Sequence, residues 1–418
     1  MTDRRAVGGP VPLRLLAAYT GLALLAWLAA AAALVAAAPD LAGGAVYLPA
    51  PLLVVHLVAL GLLSFGVAGA SFHLLPVMLR NDLRSTRLLW FAALLLAGGF
   101  AVAPGVAWQL DTATWAGTAA LGAGIAIVLV ELAGLVVRAP GDRTLVVSRT
   151  GVALSLLHAL AALALGAVVY DHGYATFAGV GHERWLLVHL HLALIGWLTL
   201  LIVAVGRTLG PMLALAPAAP ARKLPVAETA LVFGLWVLAA GLASGAREAR
   251  LAGGALAAAA IGGFVAVLGR SALRRRGTLE APLLHLAAGV VFLAQAAVVG
   301  LGAAAGAFDG ARPVVAYVCF LLLGWAAGVV VGHLGKLLSL SVWVWWPPGP
   351  RPKQTELYPR RLWLVEAVLL AAGVELLGAG VLADSGAAAR AGAALLAASA
   401  LAAAAGAAVT WERRARSS

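Results

Sequence analysis

The chain has 418 residues, 63% hydrophobic and 11% charged, with a mean hydropathy of +0.99. No soluble domain of this size reads so apolar, which excludes one and specifies an integral membrane protein. The net charge of +12 is distributed as a topology signal and is not a nucleic-acid footprint.

In chain order, apolar runs long enough to span a bilayer cover 13–37, 47–79, 88–107, 114–137, 149–170 and 184–207, then 226–245, 250–269, 280–303, 313–341, 361–382 and 388–410. These predict an all-α membrane protein of twelve transmembrane helices with short loops. The alternating pattern of a membrane barrel is absent. The first run reads as a retained span rather than a cleaved signal. Placing both termini in the cytoplasm puts 24 of the 29 basic residues inside, leaving only Arg184, Arg247, Arg250, Arg312 and Arg390 outside. Arginine dominates lysine, which with the Ala/Gly-rich composition points to a multi-pass protein of a bacterial inner membrane. The single cysteine, Cys319, excludes a disulfide framework, a Cys-x-x-Cys-His haem attachment and an iron–sulfur cluster.

Three spans look alike. They read HLVALGLLSFGVAGASFHLLPVM from His56, HLALIGWLTLLIVAVGRTLGPML from His191 and CFLLLGWAAGVVVGHLGKLLSLS from Cys319. Gly61, Gly196 and Gly324 fall at one position, and Leu74, Leu209 and Leu337 at another. The second, sixth and tenth spans are then the same member of a threefold repeat over about 1–145, 146–277 and 278–418, giving three pseudo-symmetric four-helix arcs.

An intramembrane histidine is costly and usually functional. His56 and His191 sit about seven or eight residues below the outer ends of their spans, so about 10–12 Å deep. Imidazoles at equal depth on neighbouring helices can grip one haem iron from opposite faces. His189 projects to the other flank of its helix and could serve a second centre. Small residues nearby (Ala59, Gly61, Ala193, Gly196) suit either a porphyrin or close helix packing.

This pattern resembles subunit I of the haem–copper oxidase superfamily, which includes the large subunit of bacterial nitric oxide reductases. The similarity lies in the twelve spans, in the histidine of the second span and in HLHLALIGW. The resemblance implies that His56 and His191 are axial ligands of a low-spin b-type haem, and that His189 is the proximal ligand of a second. It implies electron transfer, or reduction or sensing of O2 or NO, with a quinol or cytochrome donor and other respiratory subunits as partners. The departures are specific. The His-x-His pair lies on the sixth span instead of the tenth, no His-His pair exists for a copper centre, and the His-Pro-Glu-x-Tyr type sequence is missing. A divergent single-chain member with one or two haems and no standard copper centre fits best, and whether it turns over as an oxidoreductase stays open.

A second tier of histidines, His73, His158, His285 and His333, lies toward the inner face and reads as a second haem or metal site, a proton route, or inner-interface residues. Glu131, Glu366 and Glu375 lie within spans, so they should face the bundle or be protonated. In an oxidase-like protein they are proton-path candidates; each is equally a buried structural group. Asp171, His172, His182 and Glu183 form an outer loop cluster read as solvated. Trp343, Trp345 and Trp346 read as an inner aromatic belt. Two other readings compete: a cofactor-free twelve-span transporter, and a haem- or copper-handling assembly factor of a respiratory complex.

Overall fold

A computed structural model describes residues 11–139, 149–173, 175–217, 224–276 and 280–416. Among them are twelve helices long and apolar enough to cross a membrane, and no β-strand. They are α1 Leu13–Ala42, α2 Pro49–Leu79, α3 Thr86–Ala107, α4 Asp111–Arg138, α5 Arg149–Asp171 and α6 His182–Met212, followed by α7 Pro225–Ser244, α8 Arg247–Ala272, α9 Ala281–Ala304, α10 Ala311–Val344, α11 Arg360–Leu382 and α12 Gly386–Ala415. The helix is the spanning form this composition allows, because each segment satisfies its own backbone groups where lipid offers no partner. Arg4, Arg5, Arg143, Arg222 and Lys223, used above to orient the chain, lie outside the described residues.

Three of the helices are not uniformly α. In α2 the backbone widens to π geometry over Leu57–Leu63, directly after His56. In α6 it does so over Leu192–Thr199, directly after His191, and in α10 over Cys319–Ala327. Single π turns inside α-helices recur at functional sites. α2 and α6 also finish alike. Pro76 precedes a left-handed terminal Arg80 (φ +50°) in one, and Pro211 precedes Leu215 (φ +48°) in the other.

The helical hairpins α3–α4, α7–α8 and α11–α12 are interlocked by glycines at matching places. A Cβ on Gly117, Gly253 or Gly392 would fall 2.8, 2.2 or 2.4 Å from the backbone nitrogen of Val102, Leu238 or Leu377. A Cβ on Gly105, Gly241 or Gly380 would meet the nitrogen of Thr114, Arg250 or Ala389 at 2.7, 2.5 or 2.6 Å. Only glycine lets the two backbones approach this closely. The same close approach recurs in all three hairpins, as the π widening does in α2, α6 and α10.

The helices group into two compact units, one of residues 1–140, 280–293 and 310–418, the other of residues 141–279 and 294–309. In the first, α10 is the central element. In its most apolar stretch 83% of residues are buried, against 39% for α4. The π segments of α2 and α10 pack on each other there, and a Cβ on Gly66 of α2 would strike Val330 of α10. Tyr19 of α1 donates to the Leu89 carbonyl at 2.9 Å and meets Phe65 and Phe72 edge-on. In the second unit, α5 packs along the π segment of α6, and α7 pairs with α8.

Candidate functional site

Each sequence-predicted histidine can be placed within its own unit. His56 is half-buried at the end of the first α-helical part of α2, and its Nδ1–H donates to the Leu52 carbonyl at 2.7 Å. His191 is buried (7% exposed) at the matching place in α6, with Nδ1–H donating to the Leu187 carbonyl at 2.7 Å. A histidine facing its own preceding turn has its tautomer fixed, with the lone pair on Nε2, the nitrogen that ligates a metal. The donor chemistry of both therefore fits axial ligation of a haem iron.

The small residues do something else. A Cβ on Gly61 would strike Ala26 at 2.4 Å and Phe100 at 2.9 Å, and one on Gly196 would strike the His158 ring at 2.6 Å. Neighbouring helices of the same unit already fill the space at these two glycines. Of the two uses expected for them, these contacts show close helix packing.

His189 turns toward α5. Its Nδ1–H donates to the Ala162 carbonyl at 2.8 Å, and a Cβ on Gly166 would fall 2.8 Å from its Cε1. The residue therefore ties α6 to α5, with the helix backbone against the Nδ1–Cε1 edge of its ring.

The second tier divides. His158 is 3% exposed, donates from Nδ1 to the Leu154 carbonyl at 2.7 Å, lies 5.7 Å from the Trp236 ring, and buries an Nε2 with no hydrogen-bond partner. His333 donates to the Val329 carbonyl at 2.7 Å. His73 lines a cavity of about 10 Å³ with Leu16, Thr20, Gly69 and Ser341, its Nδ1 3.5 Å from the Ser341 hydroxyl. That volume suits one water molecule. His285 is the exception, because it pairs with a carboxylate.

The three intramembrane carboxylates separate in the same way. Glu366 is fully buried. One oxygen lies 2.6 Å from His285 Nε2, and the other accepts from the Ser399 hydroxyl at 2.9 Å. Glu131 is 1% exposed and accepts the Arg84 backbone N–H at 2.9 Å, which pins the α2–α3 loop to the end of α4. Glu375 stands on the exposed face of α11, so facing the bundle is not the one of its two expected outcomes that holds within this chain. Cys319 is a buried free thiol at the start of the α10 π segment.

The flanking features are structural. Trp343, Trp345 and Trp346 donate their indole N–H groups to the carbonyls of Pro352, Val11 and Pro350, so they fasten the chain beyond α10 and the residues just ahead of α1. In the outer loop His172 lies 3.7 Å from Asp171, and its ring meets that of Phe177 at 4.6 Å, tilted by 56°. Among the described residues no three His, Cys, Asp or Glu side chains converge as a metal ion requires.

Sequence reasoning missed three participants: Ser399, Tyr358 and the Glu280–Lys336 ion pair at 2.8 Å. Lys336 lies one helical turn from His333 and Glu280 just ahead of α9, and that nearness to the second tier was the available signal.

No protein-family model matches the chain, and no curated protein matches it significantly.

Proposed function

We propose that this is a haem-binding redox protein of a bacterial inner membrane, both termini cytoplasmic, with His56 and His191 as axial ligands of a low-spin b-type haem. The pairing of the two residues comes from their sequence positions and from the resemblance to haem–copper oxidase subunit I. One structural observation supports the reading. Both histidines stand immediately before a π segment at the same place in like helices, each with Nδ1 committed to the carbonyl four residues back. A bound haem would supply a reversible one-electron centre, serving electron transfer or the reduction or sensing of O2 or NO. The protein would hold the iron through two Nε2 atoms and supply an apolar surround. His189, whose Nδ1 is likewise tied to a carbonyl, lies outside this pair and would be the proximal ligand of a second haem. A quinol or cytochrome donor and respiratory subunits would be the partners.

The test is a reduced-minus-oxidised optical spectrum and a pyridine haemochrome on protein purified after expression with ample haem. The expected result is a b-type spectrum, and a colourless protein would overturn the reading. In that case the cofactor-free transporter takes its place, which the sealed Glu366–His285 pair favours, because buried intramembrane carboxylates mark ion and proton routes.

A further inference from the structure

We propose that Glu366 and His285 form a proton-binding site, loaded from the Glu280–Lys336 end of the first unit by way of the Tyr358 hydroxyl. The inference is independent of haem and holds under either reading above.

The side chains of His285 and Glu366 are 1% and 0% exposed, and their polar atoms are 2.6 Å apart. A shared proton makes the pair electrically neutral, as imidazolium with carboxylate or as imidazole with carboxylic acid. Removing it leaves one uncompensated buried charge, which costs several kcal/mol. One shared proton is therefore the charge-neutral occupancy of the site. Ser399, donating to the second carboxyl oxygen, fixes the carboxyl orientation. Gly332 of α10 gives the imidazole its seat, since a Cβ there would lie 2.4 Å from the ring.

The groups around the pair grade from sealed to open. His333 on α10 interacts electrostatically with His285. Lys336, one turn further along α10, bridges Glu280 at 2.8 Å, and these two side chains are 17% and 23% exposed. Lys336 Nζ stands 5.0 Å over the Tyr358 ring. Tyr358, just ahead of α11, is 4% exposed, and its hydroxyl is buried with no hydrogen-bond partner. It feels the charges of Glu280, Glu366 and Arg360. A buried hydroxyl without a partner is costly, and this one lies beside the Lys336 ammonium of the more open ion pair. In a transfer, a proton from solvent beside Glu280 passes by way of the Lys336 ammonium and the Tyr358 hydroxyl, which is hydrogen-bonded to neither at rest, to the Glu366 carboxylate, and each relay group gives up one proton as it takes one. The charge of the relay is unchanged, and the inner pair gains one proton.

Infrared spectroscopy of the full chain in lipid nanodiscs tests this, following carboxyl and imidazolium bands through proton–deuteron exchange and pH steps. An exchangeable signal is expected that disappears in Glu366→Gln and shifts in Ser399→Ala, which keeps the carboxyl and serves if Glu366→Gln does not fold. Tyr358→Phe should slow its exchange about 100-fold, the scale of losing a positioned proton donor. A pair with no exchangeable signal, or one whose exchange ignores both Tyr358→Phe and Lys336→Met, overturns the proposal. Haem absorbance with a static pair would sink this inference alone, and a colourless protein with an exchanging pair would sink the haem reading alone.

Discussion

Glu366 and His285, 81 residues apart in the chain, bring carboxyl oxygen and ring nitrogen to 2.6 Å in a site closed to solvent. Breaking such a pair from one side strands a buried charge and costs about 3–5 kcal/mol, whereas replacing both partners with apolar residues is often nearly neutral. Glu366→Leu and His285→Leu should each lower the unfolding midpoint strongly, and the double variant should recover most of the loss. Unfolding in detergent, compared across the four proteins, checks this. Additive single losses would show that the two groups do not act as a pair.

Glycines of α10 provide the seats for this region. A Cβ on Gly332 would enter the His285 ring, and one on Gly335 would fall 2.1 Å from Trp363. Gly332→Ala and Gly335→Ala should each destabilise by about 1–3 kcal/mol, the usual cost of overpacking. Gly262 of α8, with nothing within 4 Å of an added Cβ, is the control. There alanine should gain up to about 1 kcal/mol of helix propensity. Unfolding midpoints falling equally at all three positions would contradict these contacts.

The twelve spans were legible because length and apolarity are read along the chain, one segment at a time. The π segments were not, because the wide turns carry no composition of their own. Gly61, Gly196 and Gly324 marked the right places for a different reason, that neighbouring helices press on them. The glycine interlock was present in the sequence as a repeated spacing, Gly98, Gly105 and Gly117 recurring as Gly234, Gly241 and Gly253 and as Gly373, Gly380 and Gly392. Apolar similarity drew attention to other helices. Glu366 and His285 were both singled out, yet as members of separate groups, because pairing is a tertiary fact. Depth held the clue, since each lies within seven residues of the start of its helix, and both helices run in the same direction through the membrane.

Burial, and then the negative charges of Glu280 and Glu366, push the Tyr358 phenol above its ordinary value of 10.0. A group whose folded-state value is raised contributes stability that is complete below the unfolded value and is lost as pH climbs through the folded one. The wild-type protein should therefore lose stability from about pH 10 upward, and Tyr358→Phe should flatten that decline. Tyrosinate absorbance, taken as wild type minus Tyr358→Phe, should show one phenol ionising later than an exposed tyrosine. If that phenol ionises with the exposed ones, Tyr358 is not sealed as described.

Glu131 separates structural from proton-carrying carboxylates. Its oxygen accepts the Arg84 backbone N–H, and the loop is further held by Asn81 on the Leu135 carbonyl and Arg138 on the Asp82 carbonyl. Glu131→Gln keeps an acceptor and should be near wild type in stability. Glu131→Ala strands a backbone donor and should cost about 1–3 kcal/mol. Both should leave the Glu366 infrared signal in place, and a loss of that signal in Glu131→Gln would join the two carboxylates in one path.

The haem reading is decided by which histidines the absorbance depends on. Other buried or half-buried histidines besides the pair, His158 and His333 among them, are chemically able to ligate, and His158 even has an unpartnered buried Nε2. Sequence position alone favours His56 and His191, so the pattern of losses carries the weight. His56→Ala and His191→Ala should each abolish the low-spin band, because a six-coordinate low-spin iron needs both axial nitrogens. His333→Ala, whose Nδ1 is tied in the same way to Val329, should leave the band intact, which shows that the helical tautomer pattern by itself is insufficient. His189→Ala should loosen α6 from α5 and lower stability without moving the low-spin band, since it breaks the bond to the Ala162 carbonyl and lies outside the low-spin pair. Should His158→Ala remove the band while His56→Ala spares it, the ligand set lies on α5 and α6, and the inherited pairing is wrong even though the protein binds haem.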